Sequence, residues 1–305
     1  MTFSLAPLGI WTWTLDAQPA RKAQEAVAEI ESLGFGAVWI PEAVGREPFA
    51  HAALLLSGSK SIVVATGIAS MYARTAVTMQ AGLKTLTEAF PERFLLGIGA
   101  SHGNLAKALH KSAYEKPYSR MVEYLDTMDG AMFAAAPPAT TPRRMLAALG
   151  PKMLQLAATR TEGAHPYFTT PEHTAAARSI MGPGPMLAPE MAVIFERDAT
   201  KAREIARKFM ATYVRLPNYA NNLLRHGFTE SDLKNEYGVP SDRLVDAICT
   251  WGDLEVIAKR VTEHFDAGAD HVCIQVLKED LTELPSAEWR EIASLVPEFA
   301  SRRAQ

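Results

Sequence analysis

The chain has no excess of basic residues: 31 Lys and Arg stand against 34 Asp and Glu, a formal net charge of -3. Without a basic stripe, the composition argues against a dedicated nucleic-acid or anionic-membrane binder. Cysteine is scarce. Cys249 and Cys273 are the two present, and they form no CxxC pair. That rules out a disulfide framework and leaves two reduced, buried thiols as the expectation. No apolar run approaches the length of a membrane span. The N-terminal stretch lacks a basic segment ahead of its apolar part, so it reads as a first strand and a cytoplasmic location is expected.

Several catalytic signatures are also missing. The eight histidines contain no HxH or HExxH pattern, so no metal-ligand set is expected. There is no G-x-S-x-G elbow and no G-x-x-x-x-G-K-[ST] loop. "FLLGIGASHG" (94–103) comes close to a dinucleotide turn. Gly97 and Gly99 fit that fingerprint, but His102 stands at the third glycine position and Gly103 comes one residue late. The motif also follows the fourth strand instead of the first. A dinucleotide site is therefore rejected.

What remains is an alternation of short apolar β-rich runs with amphipathic helical runs. Strands are predicted over 3–11, 35–40, 61–68, 93–99, 144–150, 163–170, 189–196 and 269–277. Helices are predicted between them, over 49–57, 73–90, 117–134, 151–160, 171–181 and 253–268 among others. Ala26, Val27, Ile30 and Leu33 repeat at helical spacing before Gly34. Pro151 and Pro171 each open a helix. Eight such units in 305 residues predict an α/β fold, a (β/α)8 TIM barrel, with 1–305 as one domain. Two segments are long for a minimal barrel: 99–117 after the fourth strand and 216–247 after the seventh helix. Barrel sites lie at the C-terminal ends of strands, so Gly97 and Gly99 are expected to give a flat ligand room there.

At those strand ends the sequence resembles the bacterial luciferase-like superfamily, and more narrowly its coenzyme F420-dependent oxidoreductases of actinobacteria. The resemblance is carried by "GFGAVWIPEAVGREPF", "VVATGIASMYARTAVTMQAGLKTLTEAFPERFLLGIGASH" and "LGPKMLQLAATRTEGAHPYFTTPEHT". "VDAICTWGD" and "AGADHVCIQVL" extend it to the C-terminal part. It implies hydride transfer between coenzyme F420, a deazaflavin, and an unidentified organic substrate. Flavin mononucleotide (FMN) stays open as the cofactor of a monooxygenase that uses O2 and a separate reductase. A non-catalytic cofactor-binding barrel stays open as well. A small-molecule substrate and a homodimer are the expected partners.

The resemblance also implies roles for particular residues. Gly67 and Ile68 match a non-prolyl cis pair that presses on the central ring. Glu42 matches an acid beside that ring, and Ala43 stands where the sugar-phosphate branch has a catalytic histidine. His102 matches an acidic active-site position, and a histidine there can exchange a proton near neutrality. Ser101 is expected at the ring. Gly150, Pro151, Lys152 and Met153 open a helix whose N–H groups suit the cofactor's phosphate. Thr169 and Thr170 form a second helix start, and Gly163, His165 and Tyr167 line the same region. Trp11, Trp13, Met71 and Tyr72 are expected around the substrate.

Overall fold

The computed structural model describes residues 4–103 and 114–302. Part of the predicted insertion after the fourth strand, 104–113, lies outside the described residues. The strands form one parallel sheet. Its first half comprises β1 (Leu8–Trp11), β2 (Ala37–Ile40), β3 (Val63–Thr66), β4 (Ala69–Ser70), β5 (Phe94–Gly99) and β6 (Arg143–Leu146). Its second half comprises β7 (Gly163–Ala164), β8 (Met186–Leu187), β9 (Glu190–Ile194), β10 (Cys249–Trp251) and β11 (Val272–Val276).

The ring closes through 186–194. Met186 and Leu187 pair with Gly163 and Ala164, and the Glu190 N–H then donates to Pro166 O at 2.8 Å. Continuing along the same run, Glu190 to Val193 pair with Cys273 to Val276 of β11, and β11 pairs with β1. Every neighbour is parallel, so each strand return needs a crossover, and helices supply most of them on the outside.

The helices of the outer layer are α1 (Ala20–Ser32), α2 (Pro48–Ser57), α3 (Ala76–Ala89), α4 (Pro117–Asp129), α5 (Pro151–Arg160) and α6 (Pro171–Met181). After β9 come α7 (Ala199–Tyr213), α8 (Pro217–Arg225), α9 (Glu230–Leu233) and α10 (Asp242–Ile248). α11 (Leu254–Asp266), α12 (Ser286–Ala293) and α13 (Val296–Arg302) follow. Helix starts obey local chemistry: Asp198 caps α7, Asp253 caps α11 and Thr75 caps α3, each by a side-chain oxygen accepting a backbone N–H. α1 buries Ala23, Ala26, Val27 and Ile30 on one face, and Gly34 follows with a left-handed φ of 88°.

Two layers of apolar packing result. One lies between sheet and helices. The other fills the barrel interior with Trp11, Ala37, Trp39, Leu95, Met145 and Cys273, whose alternate positions point inward.

Some predicted boundaries change. The fourth-to-fifth connection helix ends at Asp129, before Gly130, and does not reach 134. The sixth strand keeps two residues of the predicted eight, because residues beyond Ala164 leave the sheet. The 61–68 strand shortens to β3, ending at Thr66, and the unpredicted β4 follows the turn at Gly67–Ile68. The polar 216–247 stretch is α8 to α10, locked to α7 by Arg203–Asp242 and Arg203–Asp246 ion pairs at 2.7 and 2.6 Å. No helix among the described residues is long and apolar enough to cross a membrane.

Candidate active site

A cavity of about 770 Å³ opens at the C-terminal ends of the strands. That size is typical of a small-molecule site. It lies where the fold gathers the loops that follow each parallel strand. Its walls come from the ends of β1, β2, β5 and β6, from the turn after β3, and from α7 and α8.

The turn after β3 forms one wall. The Gly67–Ile68 peptide bond is cis, and both residues line the cavity. The turn is held by Gly67 N–H donating to Ile40 O at 2.7 Å and by the Thr66 hydroxyl donating to Gly97 O at 2.8 Å. Gly97 and Gly99 serve this turn and not a ligand, which corrects the sequence expectation. A Cβ at Gly97 would fall on the Thr66 carbonyl oxygen, and one at Gly99 would come 2.5 Å from Ile68 Cδ1. Neither glycine lines the cavity.

Glu42 lines the cavity but does not offer a free carboxylate, a second correction. One of its oxygens accepts the Ser70 N–H at 2.6 Å, and both are held by the Arg74 guanidinium in a nearly buried ion pair. Arg74 also reaches Glu47 at 3.2 Å. The arrangement ties the end of β2 to β4. Its physical role is to fix the wall.

His102 lines the cavity on the other side, after Ser101, whose φ is 52°. His102 Nδ1 lies 3.3 Å from Asn218 Oδ1, so that nitrogen carries the proton and Nε2 keeps its lone pair. Burial pulls the imidazole pKa below the usual 6.5, partly offset by the Asn218 bond.

A slot of small residues runs from the turn toward α5. Ala100, Ala147, Ala148 and Gly150 form it, and Met153 borders it. Arg225, from α8, stands at its far end, 3.8 Å from where a Gly150 Cβ would sit. Pro151 and Lys152 are exposed and do not line the cavity. The predicted second helix start is not part of it either. Thr170 caps α6 by accepting the His173 N–H, and the buried Thr169 hydroxyl has no hydrogen-bond partner among the described residues. His173 Nε2 donates to Leu149 O at 3.0 Å and so pins the turn before α5, while burial drives its pKa down to about 4. Gly163 is structural as well. It has a φ of 153°, and a Cβ there would fall on the Met186 backbone.

Trp11 and Trp13 both line the cavity, with rings 5.8 Å apart edge to face. Trp13 Nε1–H donates to Leu281 O at 2.9 Å, which fastens it to the loop after β11. Met71 and Tyr72 are buried beneath the wall and do not reach the cavity. Their side chains belong to the outer apolar layer, because the turn after β3 carries them away.

The floor is the barrel interior. His165 stacks on Trp39 at 4.3 Å, and its Nδ1–H donates to Ala188 O at 2.7 Å. Burial lowers its pKa to about 4, so it is neutral. Tyr167 donates its hydroxyl proton to Gln275 Oε1 at 3.0 Å and meets the Tyr213 hydroxyl at 3.1 Å. Glu190 is fully buried close by, with Phe168 N–H donating to its Oε2 at 3.0 Å. Burial raises its pKa to about 8.

Sequence reasoning missed Phe209, Tyr213, Asn218, Tyr219 and Arg225, all lining residues from α7 and α8. Phe209 and Tyr213 stand one helical turn apart, a weak signal that reads equally as core packing.

The sequence profile of the luciferase-like monooxygenase family matches residues 1–271. The chain belongs to that family. Among its curated relatives, a proposed coenzyme F420-dependent oxidoreductase of Mycobacterium tuberculosis is 28% identical over 194 residues. That match spans 54% of this chain and 55% of the relative, so the chain covers about half of that protein's length. The 5,10-methylenetetrahydromethanopterin reductase of Methanolobus tindarius is 25% identical over 297 residues, 84% of this chain and 90% of the relative. Among solved structures, an F420-dependent secondary alcohol dehydrogenase in complex with an F420–acetone adduct superposes with a TM-score of 0.78 at 14% identity, covering 97% of this chain and 99% of that one. That likeness establishes the luciferase-like barrel. Within this family the 770 Å³ cavity of the present chain sits at the C-terminal face of the barrel.

Proposed function

We propose that this protein is an oxidoreductase that moves hydride between coenzyme F420 and an organic substrate. The observation that carries the reading is the slot running from the Gly67–Ile68 turn to Arg225, where Ala100, Ala147, Ala148 and Gly150 leave room for a flat ring beside Leu149 and Met153. The Mycobacterium tuberculosis relative and the superposed alcohol dehydrogenase are both named as F420-dependent, which supports the deazaflavin over FMN.

The residues fit that cofactor. Gly67 and Ile68 would back its ring. The start of α5 at Gly150 and the Arg225 guanidinium would hold its phosphate, a helix start combined with a cation. When bound, the deazaflavin supplies the ring carbon that accepts or returns hydride, and the rest is protein chemistry. His102 is neutral near pH 7, so its Nε2 lone pair accepts the proton of a substrate hydroxyl as hydride leaves the adjoining carbon. In the reductive direction the same nitrogen gives that proton back. Asn218 keeps the ring in the required tautomer. Trp11 and Trp13 keep water from the reacting carbon.

Side-by-side equilibrium titration with F420 and FMN tests the cofactor. F420 is expected to bind at least tenfold more tightly, and tight FMN binding with none for F420 would overturn the reading. His102→Gln is expected to lower turnover about 100-fold with F420 affinity unchanged. Unchanged turnover would remove His102 from the proton role.

A further inference from the structure

The cavity has two chemically distinct ends. The slot end carries Arg225 and the start of α5. The other end is a box of aromatic rings. Trp11 lies 5.0 Å from Tyr167, Trp13 lies 5.9 Å from Phe209, and Tyr213 lies 4.9 Å from Phe209 and 5.4 Å from Tyr219. We infer that this box takes an uncharged, largely apolar alcohol or carbonyl compound, and that the hydroxyl of Tyr213 donates to its oxygen. The inference rests on the F420 reading for the reaction, but the binding preference stands on the box itself.

Among the described residues, no unpaired charge faces the box. Glu42 is neutralised by Arg74. Lys208 is half-exposed at the rim, paired with Glu204 at 3.2 Å and lying 3.9 Å from Glu279. Tyr167, Tyr213 and Tyr219 all have their hydroxyl pKa pushed up by burial, so they stay neutral. An ion entering the box would therefore lose its water without gaining a counter-charge. An anion would also sit over the buried carboxyl of Glu190, which lies on the same interior face as Gln275.

The oxygen position follows from the hydroxyl chain. The Tyr167 proton is committed to Gln275 Oε1. The Tyr213 proton has the Tyr167 oxygen as its protein partner, at 3.1 Å, and can turn to a ligand in exchange. Tyr213 is thus the donor that can change partner when a ligand arrives. Glu190 Oε1 and Gln275 Nε2 have no hydrogen-bond partner among the described residues, so the far end of this chain is polar and closed to the apolar part of a ligand.

Four probes of one size test this on the cofactor-free protein carrying Arg225→Ala, which removes the cation at the slot end: acetophenone, ethylbenzene, benzoate and phenyltrimethylammonium, each titrated by calorimetry and ligand-observed NMR. Acetophenone is expected to bind at least about 10-fold more tightly than either ion, because neither ion is repaid for its desolvation. Tyr213→Phe is expected to weaken acetophenone about 3- to 10-fold, the worth of one neutral hydrogen bond, and to leave ethylbenzene unchanged. Thermal melts of Tyr213→Phe check that the fold is retained. Benzoate or the ammonium binding as tightly as acetophenone, no acetophenone binding at millimolar concentration, or an equal effect of Tyr213→Phe on both neutral probes would overturn the inference. A separate F420 titration keeps the two readings apart. Failure of F420 to bind, with the probe preference intact, removes the cofactor reading alone. F420 binding with no probe preference removes the substrate class alone.

Discussion

Glu190 offers a measurable consequence of burying a carboxyl inside the barrel. It is 1% exposed, accepts one hydrogen bond, from Phe168 N–H, and has its pKa raised from 4.5 to about 8 chiefly by desolvation. The sign follows from linkage. Below pH 4.5 the carboxyl is neutral in both folded and unfolded chains and costs nothing. Between 4.5 and about 8 the unfolded chain ionises while the folded one cannot, so stability falls as pH rises. At about 1.4 kcal/mol per pH unit, the loss reaches up to about 5 kcal/mol above pH 8. That is comparable with the whole stability of many domains. Glu190→Gln keeps an oxygen to accept the Phe168 N–H and removes the titration. Urea unfolding of both proteins from pH 5 to 9 is the assay. The variant is expected to gain on the wild type steadily across pH 5 to 8 and then level off. The buried histidines His165, His173 and His264 act with the opposite sign. Burial lowers their pKa, to about 4, 4 and 3, so each costs stability as pH falls below 6.5. They are common to both proteins and cancel in the difference. A difference that stays flat from pH 5 to 8, or that falls, would refute the reasoning.

Three further outcomes are expected. Arg225→Ala should weaken F420 binding by about 10-fold or more, with a shallower salt dependence, as a charge-assisted contact is lost; titration at two ionic strengths checks it. Glu42→Ala should cost about 2–4 kcal/mol of unfolding free energy, because Arg74 loses its two-oxygen carboxylate partner in a nearly buried site and keeps the half-exposed Glu47 at 3.2 Å as its remaining ion pair, and equilibrium unfolding reads it. Gly97→Ala should be poorly folded or strongly destabilised, since its methyl group falls on the Thr66 carbonyl oxygen, whereas Gly184→Ala should be tolerated because no atom lies within 4 Å of its new carbon; paired thermal melts compare the two.

How much was legible in the sequence depended on the range of the signal. The alternation of apolar runs with amphipathic helices is local, and the structure keeps all eight strand positions, with shortened ends. Helix starts at Pro151 and Pro171 were equally legible, because a missing N–H is tolerated only there. The strand at 163–170 was over-long in the sequence reading, since "HPYF" is apolar for a different reason: it lines the cavity and packs under α7. "DAICTWGD", outside the predicted strands, holds the short strand β10, with Trp251 Nε1–H donating to Asp246 Oδ1 at 2.8 Å.

The site divides the same way. Trp11 and His102 could be named from the chain because a parallel barrel puts every strand end on one face, and Gly67, Ile68 and Tyr167 because the resemblance implied them. Their partners could not. That Glu42 is spent on Arg74, and that Gly97 serves Thr66, depends on contacts across neighbouring strands, which composition and spacing do not encode. The aromatic box needs Tyr213 and Tyr219 from α7 and α8 beside Trp11 and Trp13 from the other end of the chain. Periodicity sets which residues a helix buries. Only the packing of distant elements decides whether a buried ring faces the core or a cavity.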